Sequence, residues 1–552
     1  VALPISTEVS TFTQRAHQDI QSYLPFGDST DFSNATRGFI ATRENPVIKT
    51  TDGNLCYDLS AYDFVKGNAP ETVNPSLWRK AKLNKLHGLF QVTEKIYQVR
   101  GFDLANMSIV ETDNGRIIID PLTTFETAQA AMELVNEQLG EKKIQAVILT
   151  HTHVDHFGGI RAVVKEQDVK EGKVMVIAPE GFGEHAVSEN VIAGNTMQRR
   201  GIFMFGATLN MDAKGLVSNG LGQNVANGHM GYIAPNTIIR QTGEQLNIDG
   251  VKIVFQVTPE AEAPAEFMFY FPEWKTFCQA EEINQTLHNL YTPRGAHVRN
   301  GLKWSKYIDE AIVEFGDEVE VSFGSHHFPT WGNESILKLW KGQRDTYKYI
   351  HDETLHLANK GYTMLEIAEL VKLPDALAQQ FANRDYYGTV NHNSKAQYQL
   401  YFGWFDANPA NLHALPPKEA SVKYVEYMGG ADSLMAKAKQ DFKQGAYRWV
   451  ASVLNHLVFA QPDHEPAREL LAQTYTQLGY QAESGPWRNF YLTGARELLL
   501  GLRTNKFENN MEEYSKDILL NIPLSLFYDY LAVRLDRAQA KGKQYIFNMI
   551  FP

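Results

Sequence analysis

The chain has 552 residues, room for two to four domains at about 100–200 residues each. Apolar residues make up 43% and charged residues 21%, an ordinary globular balance, and no run approaches the ~20 apolar residues that a membrane span needs. The 52 basic and 64 acidic residues give a formal net charge of −12, which argues against nucleic acid or anionic lipid as partners; an anionic substrate must be drawn by a local cationic site.

Residues 1–90 are mixed in pattern, with a turn-rich stretch at Lys66–Ser76. From Lys95 the pattern becomes α/β. Met107–Thr112 reads as a strand, Asp113, Asn114 and Gly115 as a hairpin turn, and Arg116–Asp120 as the return strand. Ala128–Leu139 has helical spacing and Gly140 is a C-terminal stop. Ile144–Thr150 reads as a buried strand, a helix is expected after Gly158-Gly159, and alternation continues to about Phe323. After Trp331 long amphipathic runs follow, such as Ile336–Leu355 and Met364–Ala382. Residues 433–480 read as one tetratricopeptide-like helix–turn–helix unit or as a plain antiparallel helical hairpin. Pro523–Leu535 reads as another helix and Gln544–Phe551 as a single strand. A lone strand cannot satisfy its own hydrogen bonds, so further chain is expected to pair with it.

Cys56 and Cys278 are too few for a disulfide scaffold or a thiolate zinc site, and their pairing is left open. The first residue is Val1 and no hydrophobic leader follows, as in an exported protein whose signal peptide has been removed; a trimmed chain would look the same.

The chemical signal is Thr150-His151-Thr152-His153-Val154-Asp155-His156-Phe157-Gly158-Gly159, between a predicted strand and a predicted helix. His151 and His153, two apart, point to one side of an extended backbone, and Asp155 and His156 can serve a second centre. Imidazole and carboxylate are good zinc ligands, and such a set can hold two ions about 3.5–4 Å apart. The two glycines are expected to allow a tight turn into the helix.

This HxHxDH motif resembles that of the metallo-β-lactamase fold, and Asp120 resembles the Asp that orients the ligand loop in that fold. Where most of its hydrolases carry TPGHT, this chain has Thr258-Pro259-Glu260-Ala261-Glu262-Ala263-Pro264-Ala265-Glu266. That stretch resembles the alkyl sulfatases, in which a Glu replaces the missing His; by position it is Glu262, with Glu260 and Glu266 as neighbours open to confusion. Ala280-Glu281-Glu282 resembles the next ligand segment, with Glu281 as bridging carboxylate, although Glu282 stands where Asn is usual and leaves two glutamates to choose between. His326, favoured over His327, resembles the last ligand. Val73–Trp78, Thr286–Gly295, Gly388–Ala407 and the last thirty residues also resemble alkyl-sulfatase sequence.

The resemblance implies a metallo-β-lactamase αββα catalytic domain (1–335), an all-α dimerisation domain (336–505) and the beginning of a sterol-carrier-like domain (506–552), apparently incomplete. It implies two zinc ions per chain on His151, His153, Asp155, His156, Glu262, Glu281 and His326, a homodimer, and a periplasmic or secreted location. It implies an alkyl sulfate substrate such as dodecyl sulfate, with Arg294 holding the sulfate and His288 donating a proton or hydrogen bond. Asn195 and Arg199, within Gly194–Arg200, are candidates for head-group contacts. Ile202–Phe205 and Tyr398, Tyr401, Phe402 and Trp404 are candidates for an apolar tail channel or, more simply, for core. Cleavage of the C–O bond is expected. A lactonase, thioesterase or phosphodiesterase of the same fold is the alternative, although those normally keep the His that is missing here.

Overall fold

The computed structural model describes residues 8–187, 194–502 and 524–544, together with Ile546 and Asn548. Among the described residues two sheets stack face to face. One has eight strands, in the order Phe39–Ala41, Gly88–Gln91, Ile96–Arg100, Met107–Glu111, Gly115–Ile119, Lys143–Ile148, Met175–Pro179 and Thr237–Ile239. The other has six, in the order Gln245–Ile248, Val251–Val257, Phe267–Phe271, Thr276–Cys278, Val321–Phe323 and Thr330–Trp331. Ile96, Val110, Ile117, Ile119 and Ile148 of the first sheet pack against Phe255, Phe267, Phe269 and Phe323 of the second. These aromatic and β-branched side chains project from alternate positions of their strands, so one face of each sheet meets the other.

Helices cover the outer faces. Phe125–Leu139, capped by Thr124, lays Ala131, Leu134 and Val135 over Val99, Met107 and Ile118. Gly301–Phe315 and Asn333–Asn359 bury Trp304, Ile308, Trp340 and Tyr347 against Met268 and Phe277, with Trp304 stacked on Tyr347 at 4.5 Å between ring centroids. The result is the αββα sandwich expected from the sequence. The helix at the expected start of the helical region, Asn333–Asn359, packs as an outer layer of this sandwich.

Other expectations need correction. The Met364–Ala382 run is broken: its helix ends at Leu370, and Pro374 caps a separate turn, Asp375–Ala378. Proline disfavours the helical conformation of the residue before it, so the run cannot continue. Beyond Gly158-Gly159 the chain makes only one turn, Ile160–Val163, before a second short helix, Glu166–Lys170. Residues 433–480 form three helices, Gly430–Lys443, Tyr447–Ala460 and Glu465–Gln481, joined by tight turns. At the first turn Gly445 has φ +78°, and a Cβ there would lie 2.5 Å from the Phe12 ring. Phe12 belongs to the helix Thr11–Tyr23, which is fastened to the helical region through Thr13 Oγ1 donating to Gln477 Oε1 at 2.8 Å. The helix Leu524–Arg534 is present; Pro523 and most of the Gln544–Phe551 strand lie outside the described residues.

Arg488 ties these layers together. Wholly buried, it donates to the backbone carbonyls of Thr72, Ala213, Gly215 and Gly479 at 2.7–3.3 Å. A buried guanidinium is tolerated only where its N–H groups are satisfied, and here four carbonyls from three segments supply acceptors.

Candidate metal centre

The functional side chains lie at the carboxyl ends of strands from both sheets. Asp120 follows Gly115–Ile119, the histidine motif follows Lys143–Ile148, Glu281 follows Thr276–Cys278, and His326 follows Val321–Phe323. Each of these pairs of strands is parallel, so the loops leave the sandwich at one edge. Glu262 arrives on the connection between Val251–Val257 and Phe267–Phe271.

The ligand-type residues fall into two groups of four that share one member. His151, His153, Glu262 and Glu281 form one; Asp155, His156, Glu281 and His326 form the other. Within each group the candidate ligand atoms all lie within 4.8 Å of one another. Glu281 Oε2 stands 3.2 Å from His151 Nε2, 3.0 Å from His156 Nε2 and 2.9 Å from His326 Nε2. The buried Nε2 atoms of His151 and His156 are not aligned for a hydrogen bond. Imidazole nitrogens and carboxylate oxygens that converge in a buried space, with the Nε2 atoms of His151 and His156 and both Glu262 oxygens left without a hydrogen bond, have the chemistry of a divalent-metal site. The residues present therefore fit a metal.

Supporting contacts fix these side chains. Asp120 is fully buried and accepts hydrogen bonds from Thr150 N at 2.9 Å, Thr150 Oγ1 at 2.7 Å and Ser325 Oγ at 2.6 Å, and it meets His156 Nδ1 at 2.9 Å. It thus joins the histidine loop to the His326 loop and sets the orientation of the His156 ring. Asp120 and Leu122 have φ of +53° and +62°, a strained conformation for residues with side chains. Gly158 and Gly159 serve this loop rather than a turn: neither has positive φ, and a Cβ on them would fall 2.0 Å from Thr123 O and 2.1 Å from Pro121 O.

Burial alone would raise the Glu281 carboxyl, but the imidazoles of His326 and its neighbours hold it well below the ordinary carboxylate range. The neighbouring carboxyls behave differently. Glu260 is exposed and paired with Lys303 at 2.7 Å. Glu266 and Glu282 are buried but belong to neither ligand group; burial and the adjacent carboxylates push Glu266 well above its ordinary value, and burial pushes Glu282 up to about 8. Glu266 instead accepts from the backbone N–H groups of Ala263 and Glu281, at 3.3 and 3.2 Å. His327 faces away, its ring between Gln285 N and Gly220 O.

His288, expected to face the sulfate, has both ring nitrogens engaged within the protein. Nε2 lies 2.9 Å from Glu281 Oε1, while Nδ1 lies 2.9 Å from Asn289 O and 3.3 Å from Arg299 Nη1. Buried between Tyr387 and Trp304, it orients the shared carboxylate. Arg199 is likewise committed elsewhere, to Glu497 at 2.7 Å. Tyr401 is half-exposed and bonded to His351 at 2.8 Å, and Phe402 and Trp404 are exposed, so these aromatic residues do not form a buried channel. Asn195 lies in the first turn of the helix Gly194–Met204, and its side chain lies outside the described part. Met204 is buried with Leu104 and Tyr387, while Phe203 packs on Phe490. Arg294 lies against this helix, its Nη1 3.6 Å from Met197 Sδ, and among the described residues it has no carboxylate partner.

Sequence reasoning passed over two residues. Arg299 is buried, with Nη2 2.6 Å from Glu262 Oε1 and hydrogen bonds to Glu262 O and Asn289. Tyr387 packs on His288, and its hydroxyl is pushed up by burial first and then by the charge of Glu281, with Arg299 and Arg294 acting the other way. Both lie beside stretches already singled out, but nothing in their spacing marks them as neighbours of the ligands.

Comparison with known proteins gives the same assignment. The family described as "Metallo-beta-lactamase superfamily" matches residues 100–326, and "Alkyl sulfatase dimerisation" matches residues 363–501. A linear primary-alkylsulfatase of Pseudomonas sp. is 50% identical over 541 residues, covering 98% of this chain and 80% of that protein. The chain belongs to the alkylsulfatase family. An alkyl/aryl-sulfatase of Saccharomyces cerevisiae is 46% identical, covering 99% of this alkylsulfatase chain and 84% of that protein. The solved structure of the stereoselective inverting sec-alkylsulfatase Pisa1 from Pseudomonas sp. superimposes with a TM-score of 0.93 at 42% identity, covering 97% of this chain and 85% of that one.

The shared position of Glu281 has a direct test. Glu281→Gln should lower the metal content of the purified protein more than His153→Ala, because only Glu281 belongs to both groups. Elemental analysis after gel filtration measures this. Full metal retention in Glu281→Gln would remove it from the site.

Proposed function

We propose that the chain hydrolyses alkyl sulfate esters to an alcohol and sulfate at a pair of zinc ions. The observation that carries this reading is the double ligand group centred on Glu281, together with an arginine, free of carboxylate partners among the described residues, whose charge reaches the same Tyr387 as that of Glu281. His151, His153 and Glu262 would hold one ion, Asp155, His156 and His326 the other, and Glu281 both. Bound there, zinc supplies Lewis acidity and a nucleophile drawn from water near neutral pH.

The chain's own residues do the rest. Arg294 binds the sulfate head, since a guanidinium makes paired hydrogen bonds to tetrahedral oxyanions and this one has no competing carboxylate among the described residues. Its local charge offsets an acidic protein surface. A cavity of about 290 Å³ borders Glu262 and Arg299 and is lined by Ala261, Ala263, Pro264, Val298 and Leu400. We place the alkyl tail there, where each buried CH₂ contributes about 0.8 kcal/mol. Leu400 lies on the helix that also carries Tyr401, but it is the residue that faces this cavity.

The solved relative is named an inverting sec-alkylsulfatase, and inversion at carbon is the mark of substitution at that carbon. On that route the C–O bond breaks, the oxygen of water enters the alcohol, and sulfate departs with the ester oxygen. Sulfate is a weak base and leaves without a proton donor, consistent with a His288 turned toward Glu281. The helical region supports a homodimer: it matches the dimerisation family, and it exposes Trp404 at 75%, Leu412 at 63% and Tyr427 at 89%, apolar surface of the kind that interfaces cover.

Dodecyl sulfate in ¹⁸O-water should yield labelled alcohol, with activity lost to a chelator and restored by zinc. No turnover of any alkyl sulfate would overturn the reading, and label in the sulfate would overturn the route. Arg294→Ala should raise KM for the sulfate ester about 10–100-fold with bound metal unchanged, as expected for one charged hydrogen-bonding group; unaltered kinetics would take Arg294 out of the site. Light scattering should give twice the chain mass of 62.4 kDa, and a monomer at micromolar concentration would refute the dimer.

A further inference from the structure

Beside the loop that carries His326 lies a second, smaller and partly open cavity of about 30 Å³, lined among others by Arg100, Asp103, Leu104, Asn106, His327 and Phe328. Space of this size accommodates one or two water molecules or a single halide-sized ion. Arg100 ends the strand Ile96–Arg100 and is 6% exposed. Its guanidinium lies 3.5 Å from the centroid of the Phe90 ring, while Nε and Nη2 are buried and have no hydrogen-bond partner. Among the described residues no carboxylate pairs with it. Asp103 lines the same cavity, but its oxygens accept from the backbone N–H groups of Leu104, Thr123 and Ala226 and from Thr127 Oγ1, at 2.8–3.0 Å. Burial pushes Arg100 down to about 9, still a cation at neutral pH. A buried cation without a counter-charge is costly, and one aromatic face offsets only part of that cost.

We propose that this cavity binds a small monovalent inorganic anion of the halide class, with Arg100 as its counter-charge. The site adjoins the loop that carries His326. Leu104 O lies 3.1 Å from His326 Nδ1, Asn106 N donates to Ser325 O at 2.7 Å, and Asn106 Nδ2 donates to His327 O at 2.7 Å. An anion bound to Arg100 therefore stiffens the backbone from which a metal ligand projects. Its lining does not include Arg294, which in the proposed sulfate site sits against the helix Gly194–Met204.

Crystals of the metal-loaded protein soaked in sodium bromide give the direct test. An anomalous peak within hydrogen-bond distance of the Arg100 guanidinium is expected; a cavity holding only water, or bromide found only at the metals, overturns the proposal. In solution, bromide should raise the melting temperature of the wild type saturably, by about 1–2 °C relative to gluconate at equal ionic strength. Arg100→Met should lose that shift, and an equal rise in both proteins also overturns the proposal. Should Arg100→Met fail to fold, the diffraction experiment on the wild type decides alone.

Discussion

Four imidazoles converge on one carboxylate. His151, His156 and His326 stand around Glu281 Oε2, and His288 lies 2.9 Å from Oε1. The carboxylate comes from the six-stranded sheet, two of the imidazoles come from the loop that follows a strand of the eight-stranded sheet, and His288 comes from the long connection after Glu281. The site thus exists only when the two sheets are stacked in register, and the aromatic layer between them sets that register. Packing and chemistry are the same requirement here: a shift of one sheet relative to the other would separate Glu281 from its partners.

Asp120 carries the same constraint one layer back. It binds both the histidine loop and Ser325 beside His326, so loops from the two sheets are held by one buried carboxylate. The left-handed backbone at Asp120 and Leu122 and the missing side chains at Gly158 and Gly159 are what let its loop come close enough. Strain at a ligand-bearing loop is tolerated where surrounding contacts over-determine it.

The sandwich and the ligand-type cluster were legible because their signals are local or ordered. Strand alternation, the Gly140 stop and the HxHxDH spacing lie within short windows, and the glutamates follow in a fixed order. What was not legible depends on tertiary contact. The orientation of His288, the pairing of Arg199 with Glu497 and the approach of Arg299 to Glu262 each join residues that spacing alone does not relate. The aromatic run at 398–404 misled for a related reason. Composition shows that aromatic residues are present but not which side of the helix meets the protein, and the side that faces the cavity carries Leu400. Likewise Pro374 was visible, but the amphipathic period on either side of it hid the break.

The fastening of Thr11–Tyr23 onto Glu465–Gln481 bears on how the chain is made. Thr13 and Gln477 are 464 positions apart, so this contact cannot form until Gln477 has been translated, whereas the same helix packs early through Ile20 on Tyr62 and Leu77. At roughly 5–20 residues per second that is a wait of about 25–90 s, during which the sandwich can assemble on its own local pairings. Until then His17, Phe12 and the turn at Gly445 remain without their partners. Docking of Thr11–Tyr23 on Glu465–Gln481 is thus a late event of biosynthesis, and nascent chains stalled before residue 477 should carry the Phe12 end of that helix uncovered and open to proteases.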